Sequence, residues 1–369
     1  MNTFGIIGGG LAGSLLAYNL LKRGTSVLLF HQNNTAGSTA SRTPLALANI
    51  AAAKQAKVCW NPTECLSELR NVLDEVTEFP DKSFYHQNGI FRPAFDEDAL
   101  TRYRSSFENE PWPENTIRWM SPEEAADIFP VMHKTYGGLF IPNGITVNLP
   151  EFLDSLHQYL MNKFGNQLRL VQEKVTDSKQ TESGWQIVTD ESTYHAEQLV
   201  FASGEHTARH PFWKHHKLHP VKGQIIQFSG DVVNQVAPVS VAASGYFAVF
   251  GNTAVMGSTY EHHYKSLSPD EFGKRTLLKK LSDIYPALSP AEENIAGWAS
   301  VRVTTPDKLP FAGAHHEIEN LHLFTGLGSR GLLYAPLIAS HLADHLLNAS
   351  PLPPEVDVQR LYQTKKFGR

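Results

Sequence analysis

The chain has 369 residues, 41% hydrophobic and 19% charged, with a net charge of −5 and a pI near 6.4. That length and balance fit a folded α/β protein of two or so structural units with a substantial core, and leave no basic excess of the kind that advertises nucleic-acid binding. Two cysteines, Cys59 and Cys65, give no disulfide framework and fit a reduced, cytoplasmic setting; no apolar run is long enough to span a bilayer.

Met1-Asn2-Thr3 leads directly into a short apolar strand, Phe4-Gly5-Ile6-Ile7, so no signal peptide is expected. The strand enters Gly8-Gly9-Gly10-Leu11-Ala12-Gly13, a G-x-G-x-x-G hexad. A helix follows from Ser14 to Lys22, then Gly24, then a second strand, Val27-Leu28-Leu29-Phe30. In such a frame Gly8 makes the tight turn, Gly10 lets backbone approach a pyrophosphate, and Gly13 lets the helix sit close on the strand. Free N–H groups and the dipole at the helix start attract the phosphates. The frame favours dinucleotide binding over a glycine-rich turn without a ligand. Dinucleotide folds usually place an acid about 20 residues past the hexad, on the ribose hydroxyls. Here His31 and Gln32 stand there, neutral groups that hydrogen-bond more weakly than a carboxylate.

Ser121-Pro122-Glu123-Glu124 and Ser268-Pro269-Asp270-Glu271 both read as helix starts, with Ser as cap, Pro in the first turn and the acid three residues on closing a capping box. Another helix begins near Pro150. Its apolar residues Leu149, Phe152, Leu153, Leu156, Leu160 and Phe164 keep helical spacing, and Gly165 suits its end. Strands are expected at Leu168–Val171, Trp185–Val188 and Gln198–Ala202. From Val221 to Tyr260, short strands (Gln224–Phe228, Tyr246–Phe250, Ala254–Ser258) alternate with Gly, Asn and Ser breaks, as in an antiparallel sheet. The last hundred residues return to α/β. Strand Leu321–Phe324 precedes a glycine-rich turn and a helix from about Ala335 to Leu347, with Pro336 in its first turn.

Leu199-Val200-Phe201-Ala202-Ser203-Gly204 is a strand ending in small residues. Read alone, it is equally an ordinary buried strand with a tight turn. Thr325-Gly326-Leu327-Gly328-Ser329-Arg330-Gly331-Leu332 before Ala335-Pro336 is richer in glycine than a routine strand–helix connection. Such a turn can press backbone against a flat ring, and a helix start there would stabilise negative charge on a reduced flavin. Together with Gly8–Gly13, Ala202–Gly204, Val301-Arg302 and Asp307–Gly313, this turn resembles the D-amino-acid oxidase and glycine oxidase family of FAD enzymes, in order along nearly the whole chain. Gly223-Gln224, Met256–Glu261 and Gly328–Leu332 look most like the oxidase half of the bacterial bifunctional enzyme that modifies the wobble uridine of tRNA.

The resemblance implies an α/β (α+β composite) fold. A discontinuous Rossmann-type FAD-binding domain (1–80, 145–215 and 300–369) would carry an inserted, mostly antiparallel substrate domain (81–144 and 216–299). It implies FAD contacts from Gly8, Gly10, Leu11, Ala12, Gly13, His31, Gln32, Ser41, Arg42, Val175, Ala202, Ser203, Gly204, Gly326, Gly328, Ser329, Arg330, Gly331 and Leu332. The implied activity is removal of a hydride from a C–N carbon of a small amine or amino acid. Arg302 would anchor a substrate carboxylate, with Arg330 and Tyr246 beside it; Tyr260 reads more simply as a half-buried strand residue. Some relatives hold flavin on a cysteine near the segment around Ser300; none lies there, so the FAD is expected to be non-covalent. Ala46 stands where relatives often carry glycine. Histidines cluster at His206, His210, His215, His216 and His219, and at His262-His263 and His315-His316, but without the spacing of a metal set, so no metal is expected.

Three other readings stay open. A stand-alone oxidase of carboxymethylaminomethyl uridine in tRNA fits the subfamily resemblance, although the acidic net charge and the lack of an attached methyltransferase domain speak against it. A non-catalytic flavin-binding protein fits the departures at His31 and Ala46. A nicotinamide dehydrogenase fits the hexad alone.

Overall fold

A computed structural model describes residues 3–32, 39–77 and 83–363. Its first sheet has six strands in the order Leu168–Val171, Ser26–Phe30, Thr3–Ile7, Gln198–Phe201, Leu321–Thr325 and Phe311–Ala314. The first five run parallel and the last is antiparallel. A parallel sheet is buried on both faces, which is why its strands read as continuous apolar runs. One face packs against the helices Leu11–Lys22, Leu149–Phe164 and Gly331–Asn348, and the helix Pro62–Thr77 packs on the last two of these. The other is covered by a meander, Val175–Thr181, Gly184–Thr189 and Thr193–Ala196, whose Trp185, Ile187 and Tyr194 pack with Phe30, Leu199 and Phe201.

The second sheet has eight strands, in the order Ala296–Thr304, His219–Ser229, Thr253–Gly257, Tyr246–Phe250, Ser240–Ala242, Ile90–Pro93, Gly138–Ile141 and Arg118–Met120. All pair antiparallel except Ser240–Ala242 with Ile90–Pro93. Alternation along the strands gives it two faces. Phe91, Phe228, Phe247 and Met256 pack with Leu277 and Leu281 of the helix Glu271–Ile284. Gly223, Ile225, Tyr246 and Arg302 face a cavity on the other side. The strand Ala296–Thr304 runs across position 300, where the sequence reading divides the two domains. A small sheet of Ala46–Ala48, Ile145–Val147 and Tyr85–His86 joins segments from both sides of that division.

Local differences from the sequence reading have physical causes. Ser121 caps its helix as expected, its hydroxyl accepting from Glu124 N, but the Glu124 carboxylate turns to Arg118. Ser268 is not a cap. Lys222 Nζ takes the Ser268 carbonyl and Gln224 Oε1 takes Asp270 N, so the chain stays extended, and Asp270 caps from Gly273 N instead. The last helix begins at Gly331, which leaves Pro336 inside it rather than in its first turn. Gly165 has right-handed backbone (φ −55°, ψ −28°) and is not a left-handed cap. Among the described residues no helix is long and apolar enough to cross a membrane.

Candidate active site

A cavity of about 2120 Å³ lies between the carboxyl ends of the parallel strands and the inner face of the eight-stranded sheet. Open parallel sheets place ligands there, where strand order reverses. Thr3–Ile7 lies between Ser26–Phe30 and Gln198–Phe201, so its exit is that reversal point. Gly8 has φ +117°, and a Cβ on it would fall 2.5 Å from Ala202 O. A Cβ on Gly13 would fall 1.9 Å from Gly8 O. The hexad is therefore closed onto its own helix and onto the strand end at Ala202. At the helix start, Leu11 N donates to Ser41 Oγ (2.9 Å).

Every residue the sequence reading assigns to cofactor or catalysis, except Gly13, lines this one cavity. Gly13 lies behind it, in the helix–strand contact. The late turn is adjacent to the first: a Cβ on Gly331 would be 3.6 Å from Leu11 Cδ2. Val175 opens the meander at the cavity wall, Arg42 pairs with Asp154 (2.7 Å), and Ala46 also lines the space. Of the cysteines, Cys59 and Cys65 are buried and neither lines the cavity; burial pushes the Cys59 thiol up to about 11.

At the far end, His31 packs on the hexad so closely that a Cβ on Gly9 would be 2.5 Å from its own. Its ring lies 5.5 Å from that of His157, whose Nε2 is 2.8 Å from Ser14 Oγ. Sequence reasoning missed His157; one histidine on an amphipathic helix carries no signal of what it meets. Burial, then the charges of His31 and Arg42, lower the His157 imidazole to about 4. The unfolded chain holds that proton below roughly pH 6.5. As pH falls from about 6.5 to about 4, the unfolded state takes up a proton the fold refuses, and stability drops by on the order of 3 kcal/mol from this group. The thermal midpoint should fall across that window, and less steeply in His157→Gln. Parallel profiles for the two proteins would refute the assignment.

Arg302, on the strand Ala296–Thr304, is a cation of the sheet wall. Its Nη1 donates to Ser258 Oγ (3.0 Å) and, at 3.4 Å, to Ser329 Oγ; its Nη2 donates to Thr259 O (2.9 Å). Among the described residues no carboxylate lies in ion-pair range of it. Lys280 Nζ holds the Ser258 carbonyl (2.9 Å), and burial, then the Arg302 charge, lowers its pKa. Tyr260 is not the half-buried strand residue expected. It is 62% exposed, outside the strand, with its ring 4.5 Å from the Arg302 guanidinium and its hydroxyl on Ser329 Oγ. Tyr246 donates its hydroxyl to Leu45 O (3.2 Å), tying the roof to the segment beneath. Arg330 Nη1 donates to Tyr334 OH (3.2 Å).

The histidines near Trp213 form an aromatic cluster: His216 and His315 meet the indole ring edge-on. Among the described residues no group of three or more His, Cys, Asp or Glu is arranged to hold a metal.

The cavity fits an extended dinucleotide. Its floor is a turn too tight for side chains, and two buried side-chain atoms on its wall, His31 Nε2 and Thr325 Oγ1, have no hydrogen-bond partner among the described residues. Comparison with known proteins agrees in kind. The family described as "FAD dependent oxidoreductase" matches residues 4–345. A tRNA 5-methylaminomethyl-2-thiouridine biosynthesis bifunctional protein, MnmC, from Marinobacter nauticus is 26% identical over 98% of this chain. The chain spans 58% of that relative's length. Glycine oxidase from Geobacillus kaustophilus superposes with TM-score 0.79 at 22% identity, covering 95% of this chain and 96% of the other. L-proline dehydrogenase from P. horikoshii gives 0.80 at 17% identity, covering 98% of each. At such identities these two structures speak for the fold.

Proposed function

The chain belongs to the family of FAD-dependent oxidoreductases, and from that membership we propose that it oxidises a carbon–nitrogen bond of an amine or amino-acid-like substrate bearing a carboxylate. The observation that carries this reading is Arg302, a guanidinium on the cavity wall aimed by Ser258 and Thr259 and neutralised by no carboxylate among the described residues. A fixed, planar guanidinium pairs with a carboxylate through two parallel hydrogen bonds and so sets the position of the adjacent carbon.

In this reading the Gly8–Gly13 turn and the start of the Leu11–Lys22 helix hold the FAD pyrophosphate. His31 and Gln32 lie toward a ribose, and the Gly326–Leu332 turn with Arg330 faces the flavin ring. A bound flavin supplies the redox chemistry, accepting a hydride from the C–N carbon, after which water hydrolyses the imine. The sheet roof excludes bulk water, and Tyr246 fixes its height through Leu45 O.

Anaerobic mixing with glycine, sarcosine and D-amino acids tests this: at least one should bleach the visible flavin absorbance. Failure of every amine would favour a flavin protein without this catalysis. Denaturation should release all yellow colour from the polypeptide; retained colour would overturn non-covalent attachment.

A second reading, oxidation of a carboxymethylaminomethyl uridine in tRNA, is supported by the similarity to MnmC along nearly the whole chain. Such a substrate needs a basic face for its phosphates. The cavity lining mixes basic residues, Lys54, Arg92, Arg102, Arg302 and Arg330 among them, with acids, Asp96, Asp98, Glu205 and Asp283 among them, rather than presenting one basic sign, which weighs against it. Bleaching by the modified nucleoside, with salt-dependent tRNA affinity, would favour this reading; absence of tRNA binding would remove it.

A further inference from the structure

Two segments singled out in the sequence, Gly223-Gln224 and Met256 to Glu261, meet around Arg302. Gly223 faces the cavity, and Arg302 lies so flat against it that a Cβ there would be 2.4 Å from Nη2. Lys222 and Gln224 point to the opposite face of the same strand, and each is 1% exposed. There Gln224 Nε2 donates to Glu261 Oε1 (2.9 Å) and Asp270 Oδ2 (3.0 Å). Gln224 N donates to Thr259 Oγ1 (2.9 Å), and that hydroxyl donates in turn to Glu261 Oε1. Lys222 Nζ sits 3.6 Å from Glu261 Oε2 and 3.5 Å from Asp270 Oδ2.

Glu261 is thus the hub of a network built on the buried Lys222 and Gln224, and its front edge is Thr259, which with Ser258 orients the guanidinium. Backbone pairing between Lys222 and Glu261 in both directions fixes the segment further. An acid set directly on Arg302 would compete with an incoming carboxylate. Two acids against one lysine, placed behind the strand, tie the Thr259 segment without setting a carboxylate on Arg302 itself. A hydrogen-bonded network anchored on buried Lys222 and Gln224 also resists reorientation.

We propose that Glu261, acting through Thr259, is a positioning residue that holds Arg302 in its carboxylate-binding orientation. This rests on the reading of Arg302 as the carboxylate anchor. The network does not touch the hexad and reaches the late glycine turn only through the Arg302 and Tyr260 contacts with Ser329, so its loss should weaken carboxylate binding and spare FAD binding.

The test uses the FAD-loaded full chain titrated with glycolate, followed by the change in visible flavin absorption. Wild type should saturate and Arg302→Leu should not. A wild type that does not respond, or an Arg302→Leu that responds equally, would overturn the anchor reading itself. Given that anchor, Glu261→Gln should raise the glycolate Kd about tenfold, the scale of one weakened charge-assisted contact, with the FAD Kd unchanged. An unchanged glycolate Kd would overturn the proposal, as would glycolate and FAD affinities falling together. If Glu261→Gln does not fold, Thr259→Val against Thr259→Ser makes the same comparison. Valine should reproduce the glycolate loss and serine, which keeps the hydroxyl, should restore wild-type binding; equal Kd values in the two would refute the relay.

Discussion

Arg302→Leu is expected to lower kcat/KM for a carboxylate-bearing amine by about 10²-fold or more while the protein keeps its fold and its flavin. The size follows from the energetics of charge pairs: removing one partner of a hydrogen-bonded ion pair shielded from water costs about 2–5 kcal/mol, and 1.4 kcal/mol is a factor of ten. The fold should survive because Arg302 joins its sheet through backbone pairing with Val221, which any side chain permits. Arg302→Lys keeps the charge but not the fork, so it should recover only part of the loss. Steady-state kinetics on whichever amine bleaches the flavin give the numbers. Wild-type kcat/KM in Arg302→Leu would mean that the substrate is held elsewhere.

Gly13→Ala is the second large effect, and it strikes the cofactor instead of the substrate. The added methyl would lie 1.9 Å from Gly8 O, a backbone atom that no rotamer change can move. The helix Leu11–Lys22 would have to withdraw from the strand Thr3–Ile7, at about 1–3 kcal/mol for overpacking of this kind. The same shift distorts the turn that faces the pyrophosphate, so the purified protein should lose most of its flavin. Gly24→Ala is the control. Gly24, unlike Gly13, needs a positive φ (+82°), but nothing lies within 4 Å of the place its methyl would occupy. It should cost about 1 kcal/mol for the backbone alone and leave flavin content unchanged. Equal flavin content in the two variants would remove the close-approach argument.

Much of this layout was legible in the residues themselves, and the reason is that dinucleotide turns are local. Strand, glycine hexad, helix and second strand follow one another without interruption, so each glycine's task can be read from its spacing. Parallel strands buried on both faces show as unbroken apolar runs, as in Leu321–Thr325. The Tyr246–Phe250 strand was located to the residue because alternation and its glycine and asparagine breaks are also local. Helix starts answer to distant residues as well. At Ser268 the capping pattern was present, yet Lys222 and Gln224, remote in sequence, took the groups it needed.

The amino-acid order alone determined that the chain carries a dinucleotide turn at its start, a second glycine turn near its end and a strand-rich stretch between them, because those features are written in spacing and composition. Folding decided that both turns border one cavity, that His31 leans on His157, and that Arg302 is aimed by Ser258 and Thr259 with Glu261 behind them. Those relations join residues tens to hundreds of positions apart, and the pairing register of two sheets brings them within hydrogen-bond reach.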